Sequence, residues 1–205
     1  MTTVLGLTGG IATGKSTVSA WLKAWGYLIV DADVIARQVV ASGTPGLAQI
    51  TAAFSKQVLQ ADGSLDRGAL GQLVFHDETQ RQRLMQITAP LIHKEILAQR
   101  QAGIDRQVPL VVLDIPLLFE TDYQQYTDVT WVVSVDRVTQ QQRLMQRNGL
   151  TAAAANARID SQWSLARKRQ LADEVIDNNG SLAETQAQVR SALAQLGFVP
   201  EQAKK

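Results

Sequence analysis

The apolar positions of this 205-residue chain fall into two kinds of run. Short runs with strand-like length and make-up occur at Val4 to Thr8, Tyr27 to Val30, Pro109 to Asp114, Val129 to Val135 and Glu174 to Asp177. The third and fourth are continuous and β-branched, as in parallel strands covered on both faces. Between these runs the apolar residues recur at helical spacing. Val18, Trp21, Leu22 and Trp25 share one face of a helix that begins at Lys15 and is ended by Gly26. Val34 to Ala41 is a second helix, broken by Ser42-Gly-Thr-Pro-Gly46. From Leu47 to Gly103 no strand pattern appears, and Leu84, Ile87, Leu91 and Ile92 mark helix around Pro90, which should interrupt it. Residues 138–170 read as helical and basic, and after a turn at Asn178-Asn-Gly180 an amphipathic helix runs from Leu182 to Leu196.

Strands separated by helices predict an α/β fold: a doubly wound, mainly parallel five-stranded sheet whose ligands gather at the carboxyl ends of the strands. The length suits one core with insertions better than two independent domains. The predicted organisation is a single domain in which 1–33, 104–136 and 171–205 form the core, 34–103 a helical insertion and 137–170 a lid.

Composition narrows the classes. Hydrophobic residues at 45% and charged residues at 19% are ordinary usage, against disorder or a fibrous chain. The apolar runs fall far short of the roughly 20 residues that span a bilayer, so no membrane insertion is expected. The start, Met-Thr-Thr before Val4, carries no export pattern, and a cytoplasmic location fits. The absence of cysteine excludes disulfides, thiolate zinc sites and thiol nucleophiles. Two separate histidines, His76 and His93, argue against a histidine metal site and read as surface or packing residues. A net charge of +1 gives no global case for nucleic-acid binding, yet from Arg137 to Gln170 there are seven cations and the single anion Asp160.

Gly9-Gly10-Ile11-Ala12-Thr13-Gly14-Lys15-Ser16 matches G-x4-G-K-[ST] between a predicted strand and a predicted helix. The plainer reading is a glycine-rich turn capping a helix, but the setting is the one a phosphate cradle requires. Backbone N–H groups and the helix N-terminus would then face the phosphates of ATP, with Ala12, Thr13, Gly14, Lys15, Ser16 and Thr17 around them, Lys15 on the β/γ-phosphates and the Ser16 hydroxyl on Mg²⁺. The chain holds no Asn-Lys pair, which disfavours a GTPase switch. Asp31 and Asp33 follow the second strand, where a carboxylate could accept a hydroxyl proton during phosphoryl transfer; the plainer alternative is that one of them, Asp31 before Asp33, simply caps the next helix. Asp114 ends the third strand, at a place suited to the water shell of the metal or to a simple turn. The basic segment suits a lid that brings arginines to the phosphates, with Arg143 and Arg147 four apart on one helical face. A solvated basic helix or an RNA-binding patch is the alternative, weakened in its RNA form because Trp163 is the one interleaved aromatic.

These landmarks extend almost end to end. Leu7 through Thr17, Asp31-Ala-Asp33 with Ala36-Arg37, Pro116-Leu-Leu-Phe-Glu120, Gln142-Arg-Leu with Arg147, Arg158 with Gln162, and Ala172-Asp173 through Asn178 together resemble the dephospho-CoA kinase family of P-loop kinases. The resemblance implies transfer of the ATP γ-phosphate to the ribose 3′-hydroxyl of dephospho-CoA with Mg²⁺, in the last step of coenzyme A biosynthesis. It makes Asp33 the base, supported by Lys15, Arg143 and Arg147, and makes 34–103 the acceptor-binding insertion. It assigns Asp31, Arg37, Pro116, Leu117, Leu118 and Glu120 to the acceptor. Asn178 becomes a candidate contact to the nucleotide, or a turn residue. No nucleic-acid or membrane partner is expected, and no feature fixes an oligomeric state. Ala89 stands before Pro90 where the family usually has His, Ser164 where it often has Pro, and Ala12 where a glycine is common. A related kinase for another nucleoside or nucleotide, or a non-catalytic nucleotide-binding protein, are the alternatives.

Overall fold

The computed structural model describes residues 1–75 and 77–199; His76 lies outside the described residues. The strands are β1 (Thr3–Gly9), β2 (Leu28–Asp31), β3 (Leu110–Asp114), β4 (Val129–Ser134) and β5 (Glu174–Asp177). The α-helices are α1 (Lys15–Ala24), α2 (Ala32–Gln38), α3 (Pro45–Phe54), α4 (Arg67–Phe75), α5 (Glu78–Asp105), α6 (Arg137–Asn148), α7 (Ala152–Asp160), α8 (Leu165–Leu171) and α9 (Leu182–Gln195). Two compact units emerge, one formed by residues 1–30 with the chain from 102 onward, the other by residues 31–101.

The larger unit holds a five-stranded sheet in the order β2-β3-β1-β4-β5. The pairs β3–β1, β1–β4 and β4–β5 are parallel, so each connection must cross over the sheet. Side chains alternate across a strand, and Leu5 and Leu7 of β1, Leu110 and Val112 of β3, and Trp131 and Val133 of β4 share a core with Val18 and Leu22 of α1 and with Val189 and Leu193 of α9. All five residues of β3 are buried, as the continuous apolar run required. Two carboxylates pin the starts of the strands: Asp128 accepts the Val4 N–H at 2.7 Å, and Asp173 accepts the Thr130 N–H at 2.7 Å.

The basic tract forms three helices, α6, α7 and α8. Gly149 in the left-handed region ends α6, Thr151 caps α7 and Ser164 caps α8. Ser164 has φ −59°, a value proline also holds, and its hydroxyl accepts the Arg167 N–H at 3.2 Å. The family's frequent proline and this serine therefore suit the same backbone.

The smaller unit is helical around Val40, Ile50, Phe54, Val58 and Leu70. Asp31 caps α2, its carboxylate accepting the N–H groups of Asp33 and Val34 at 2.8 and 3.0 Å, which moves the start of the helix from Val34 to Ala32. Pro90 does not interrupt the chain: α5 runs for 28 residues through it. Leu84 and Ile87, just before the proline, pack on the apolar cluster of this unit and offset a local penalty of about 3 kcal/mol. Among the described residues no helix is long and apolar enough to cross a membrane.

Candidate active site

β1 stops at Gly9 and α1 starts at Lys15, so Gly10 to Gly14 must reverse within one short loop. Thr13 closes that loop on itself, its hydroxyl donating to the Gly10 carbonyl at 2.9 Å. Gly14 has φ +92°, and a Cβ there would stand 2.1 Å from Nδ2 of Asn178. Backbone sign and contact both demand glycine. Ala12 holds φ 61°, in the left-handed region that costs an L side chain roughly 1–2 kcal/mol. The alanine that replaces a common glycine therefore sits under local strain.

The loop is braced from two sides. At its tip the Ile11 carbonyl accepts from Gln140 of α6 at 2.8 Å, and the Ile11 N–H donates to Gln162 at 2.9 Å. Ile11 and Ala12 also pack against Leu144, Ala155 and Ile159 of α6 and α7. At its base, buried Asn178 donates to the Thr13 carbonyl at 2.8 Å and accepts the Thr185 hydroxyl of α9 at 2.9 Å. The backbone carbonyl of Asn178 takes Nη2 of Arg143 at 2.9 Å. This side chain supports the loop and is only 4% exposed; the resemblance had made it a candidate contact to the nucleotide, or a turn residue.

Lys15, the first residue of α1, forms an ion pair with Asp114 at the end of β3. Its ammonium and a 3%-exposed carboxylate thus stand side by side at the carboxyl edge of the sheet. Ser16 is exposed on the first turn of α1. The oxygen donors Ser16 and Asp114 suit a hard cation such as Mg²⁺, which takes few protein ligands and relies on substrate phosphates for others. Among the described residues no His, Cys, Asp and Glu grouping could hold a metal on its own.

The basic tract does not present its charges as a set. Arg137 pairs with Asp160 at 2.8 Å, and the Arg167 guanidinium lies 3.2 Å over the Trp163 ring. Arg143 is half-buried and tied to Asn178, while exposed Arg147 donates to its neighbour Asn148 at 2.9 Å. Lys168 is fully buried and pairs with Glu120 at 2.8 Å. The sequence counted it among the lid cations, since a tally of charges carries no partner. Its placement was hinted at by Leu165, three residues earlier on the same side of a helix.

The turn after β3 also corrects the reading. Leu118, expected at the acceptor, is 0% exposed and belongs to the core. Glu120 is committed to Lys168 and to the Trp163 N–H at 3.1 Å. The Pro116 carbonyl takes the Thr8 hydroxyl at 3.0 Å and the Lys168 ammonium at 3.0 Å. Leu117 alone of this group is exposed, at 39%. Asp31, Asp33 and Arg37 belong to the other unit: Asp31 is the cap of α2, Asp33 is exposed in its first turn and Arg37 exposed in its last. His93 is half-buried on α5.

Two exposed carboxylates hold helix ends and are more acidic for it. Asp136, which caps α6, is lowered by the Thr139 N–H and then the Thr139 hydroxyl; Glu184 is lowered by the N–H and then the hydroxyl of Ser181, its partner in the capping box of α9.

A parallel sheet with a G-x4-G-K-S loop between β1 and α1, and a carboxylate on the lysine from the neighbouring strand β3, is the framework of a P-loop kinase. A shikimate kinase from Bacteroides thetaiotaomicron shares that fold, with a TM-score of 0.52 at 14% identity over 96% of this chain and 99% of its own. The family model for dephospho-CoA kinase matches residues 3–184. A dephospho-CoA kinase from Geobacillus kaustophilus is 47% identical over 195 residues, covering 95% of this chain and 97% of the relative. The solved dephospho-CoA kinase from Campylobacter jejuni aligns with a TM-score of 0.75 at 30% identity, over 96% of this chain and 98% of its own. The chain belongs to the dephospho-CoA kinase family, an ATP-dependent kinase family, and the resemblance read from its landmarks is borne out.

Proposed function

We propose that this chain transfers the γ-phosphate of ATP to the ribose 3′-hydroxyl of dephospho-CoA, giving CoA and ADP. The observation that carries the reading is the braced loop from Gly9 to Thr17 with Lys15 against Asp114, in a chain that matches the family nearly end to end. Phosphoryl transfer is chiefly a matter of positioning and charge. The loop N–H groups and the first turn of α1 receive the phosphates, and Lys15 balances their charge. Ser16 through its hydroxyl and Asp114 through water would hold Mg²⁺, which when bound draws charge from the phosphate oxygens. Asp33 accepts the proton of the attacking hydroxyl as the new O–P bond forms. Arg143 uses one guanidinium N–H on Asn178 and keeps others for phosphate oxygens, with Arg147 one turn on. Exposed Arg37 and Leu117 are the acceptor contacts with the most free surface.

The reading is tested by offering ATP and Mg²⁺ with a panel of hydroxyl acceptors: dephospho-CoA, nucleosides, nucleoside monophosphates and shikimate. The expected result is the highest kcat/KM for dephospho-CoA. A higher value for another nucleotide would establish a related kinase instead, and tight ATP binding with no transfer to any acceptor would establish a non-catalytic protein.

A further inference from the structure

Lys168 of α8 is a cation with no surface at all, at 0% exposure. Its ammonium has three N–H groups and meets three acceptors: the Gly9 carbonyl at 3.3 Å, the Pro116 carbonyl at 3.0 Å and Oε1 of Glu120 at 2.8 Å. The acceptors tie α8 to the end of β1 and to the turn after β3. Gly9 is the last residue of β1, where the phosphate loop departs. Pro116 is two residues beyond Asp114, the carboxylate paired with Lys15. Glu120 also accepts the Trp163 N–H, which anchors the chain just ahead of α8. The other Glu120 oxygen is buried with no hydrogen-bond partner among the described residues, so Lys168 is the cation that compensates this carboxylate. Burying a charged pair is expensive, and sheet packing alone needs neither charge.

We propose that Lys168 is a positioning residue for phosphoryl transfer: its ammonium locks the end of β1 to the end of β3 and sets where Lys15 and Asp114 stand around the phosphates. It touches neither nucleotide nor acceptor. A displacement of the order of 1 Å at such a site is enough to reduce turnover by about 10²-fold.

The inference rests on the loop being the ATP cradle of a working kinase, so wild-type turnover of dephospho-CoA is measured first. Failure there would count against the proposed function. The decisive protein is the double variant Lys168→Met/Glu120→Gln, which removes the ammonium without leaving a buried carboxylate unpaired. Removing one member of a buried pair is strongly destabilising because it leaves an uncompensated charge, and replacing both removes that penalty. The single variant Lys168→Met should lose melting temperature and kcat together. The double variant should regain melting temperature but keep a kcat about 10–100-fold below wild type, with KM for dephospho-CoA within about threefold. Leu193→Ala, a core change on α9, serves as the control that lowers stability without lowering kcat. Amide exchange of Gly10 to Lys15, read without any acceptor, should be faster in the double variant. A double variant with wild-type kcat and wild-type exchange in the loop would overturn the proposal and leave the pair a packing feature.

Discussion

Replacing Asn178 separates support of the loop from contact with the nucleotide. In Asn178→Ala the Thr13 carbonyl loses its 2.8 Å donor inside the protein, whereas the Thr185 hydroxyl keeps Ser181 at 3.2 Å and Asp177 at 3.4 Å as acceptors. The loss is thus mainly one buried carbonyl left unpaired, about 1–3 kcal/mol. For a chain of this length that is a fall in melting temperature of about 2–12 °C. Asn178→Asp keeps the shape but turns the donor into an acceptor facing the Thr13 carbonyl, and buries a charge. It should be the less stable of the two variants although it is the smaller change. Melting curves with and without ATP read both effects, since a weaker affinity shrinks the shift that a fixed ATP concentration produces. Asn178→Asp as stable as wild type, with an unchanged ATP shift, would refute the support role.

Asp33→Asn should lower kcat by about 10²–10⁴-fold while ATP still binds, and a lost ATP affinity with little change in kcat would contradict the assignment. Asp114→Asn should raise the Mg²⁺ concentration for half-maximal rate by about 10–100-fold, as loss of an outer ligand does; an unchanged Mg²⁺ dependence would remove Asp114 from the metal's surroundings. Glu184 is more acidic folded than unfolded, so its stabilising effect is full above the ordinary carboxylate range and fades as pH falls through the lower folded value. Melting curves of wild type and Glu184→Ala should accordingly differ at neutral pH and converge in acid. A gap that stays constant into strong acid would mean that ionisation of Glu184 plays no part.

The strands were legible because their side chains answer to one demand, burial on both faces, which a run such as Leu110 to Leu113 advertises in one dimension. The phosphate loop was legible because its glycines meet a backbone requirement, as Gly14 does at φ +92°. Partners were not legible. Lys168 and Arg147 look alike in a charge count, and only the fold brings Glu120 and two carbonyls to one of them. Leu118 and Glu120 sit in a family landmark and invited a binding role, yet one fills the core and the other neutralises a lysine. Asp31 shows the opposite case: the capping role weighed from its position before a helix is the one its carboxylate performs. Pro90 misled because local propensity suggested a break, while the packing of Leu84 and Ile87 favours a continuous helix.

The central claim is transfer to one particular hydroxyl. Incubating the purified chain with ATP, Mg²⁺ and dephospho-CoA, and locating the new phosphate by phosphorus NMR with mass spectrometry, tests it most directly. Stoichiometric ADP and a product phosphorylated at the ribose 3′-oxygen are predicted. Phosphate at any other position, or no transfer under conditions where ATP binds, would contradict the account.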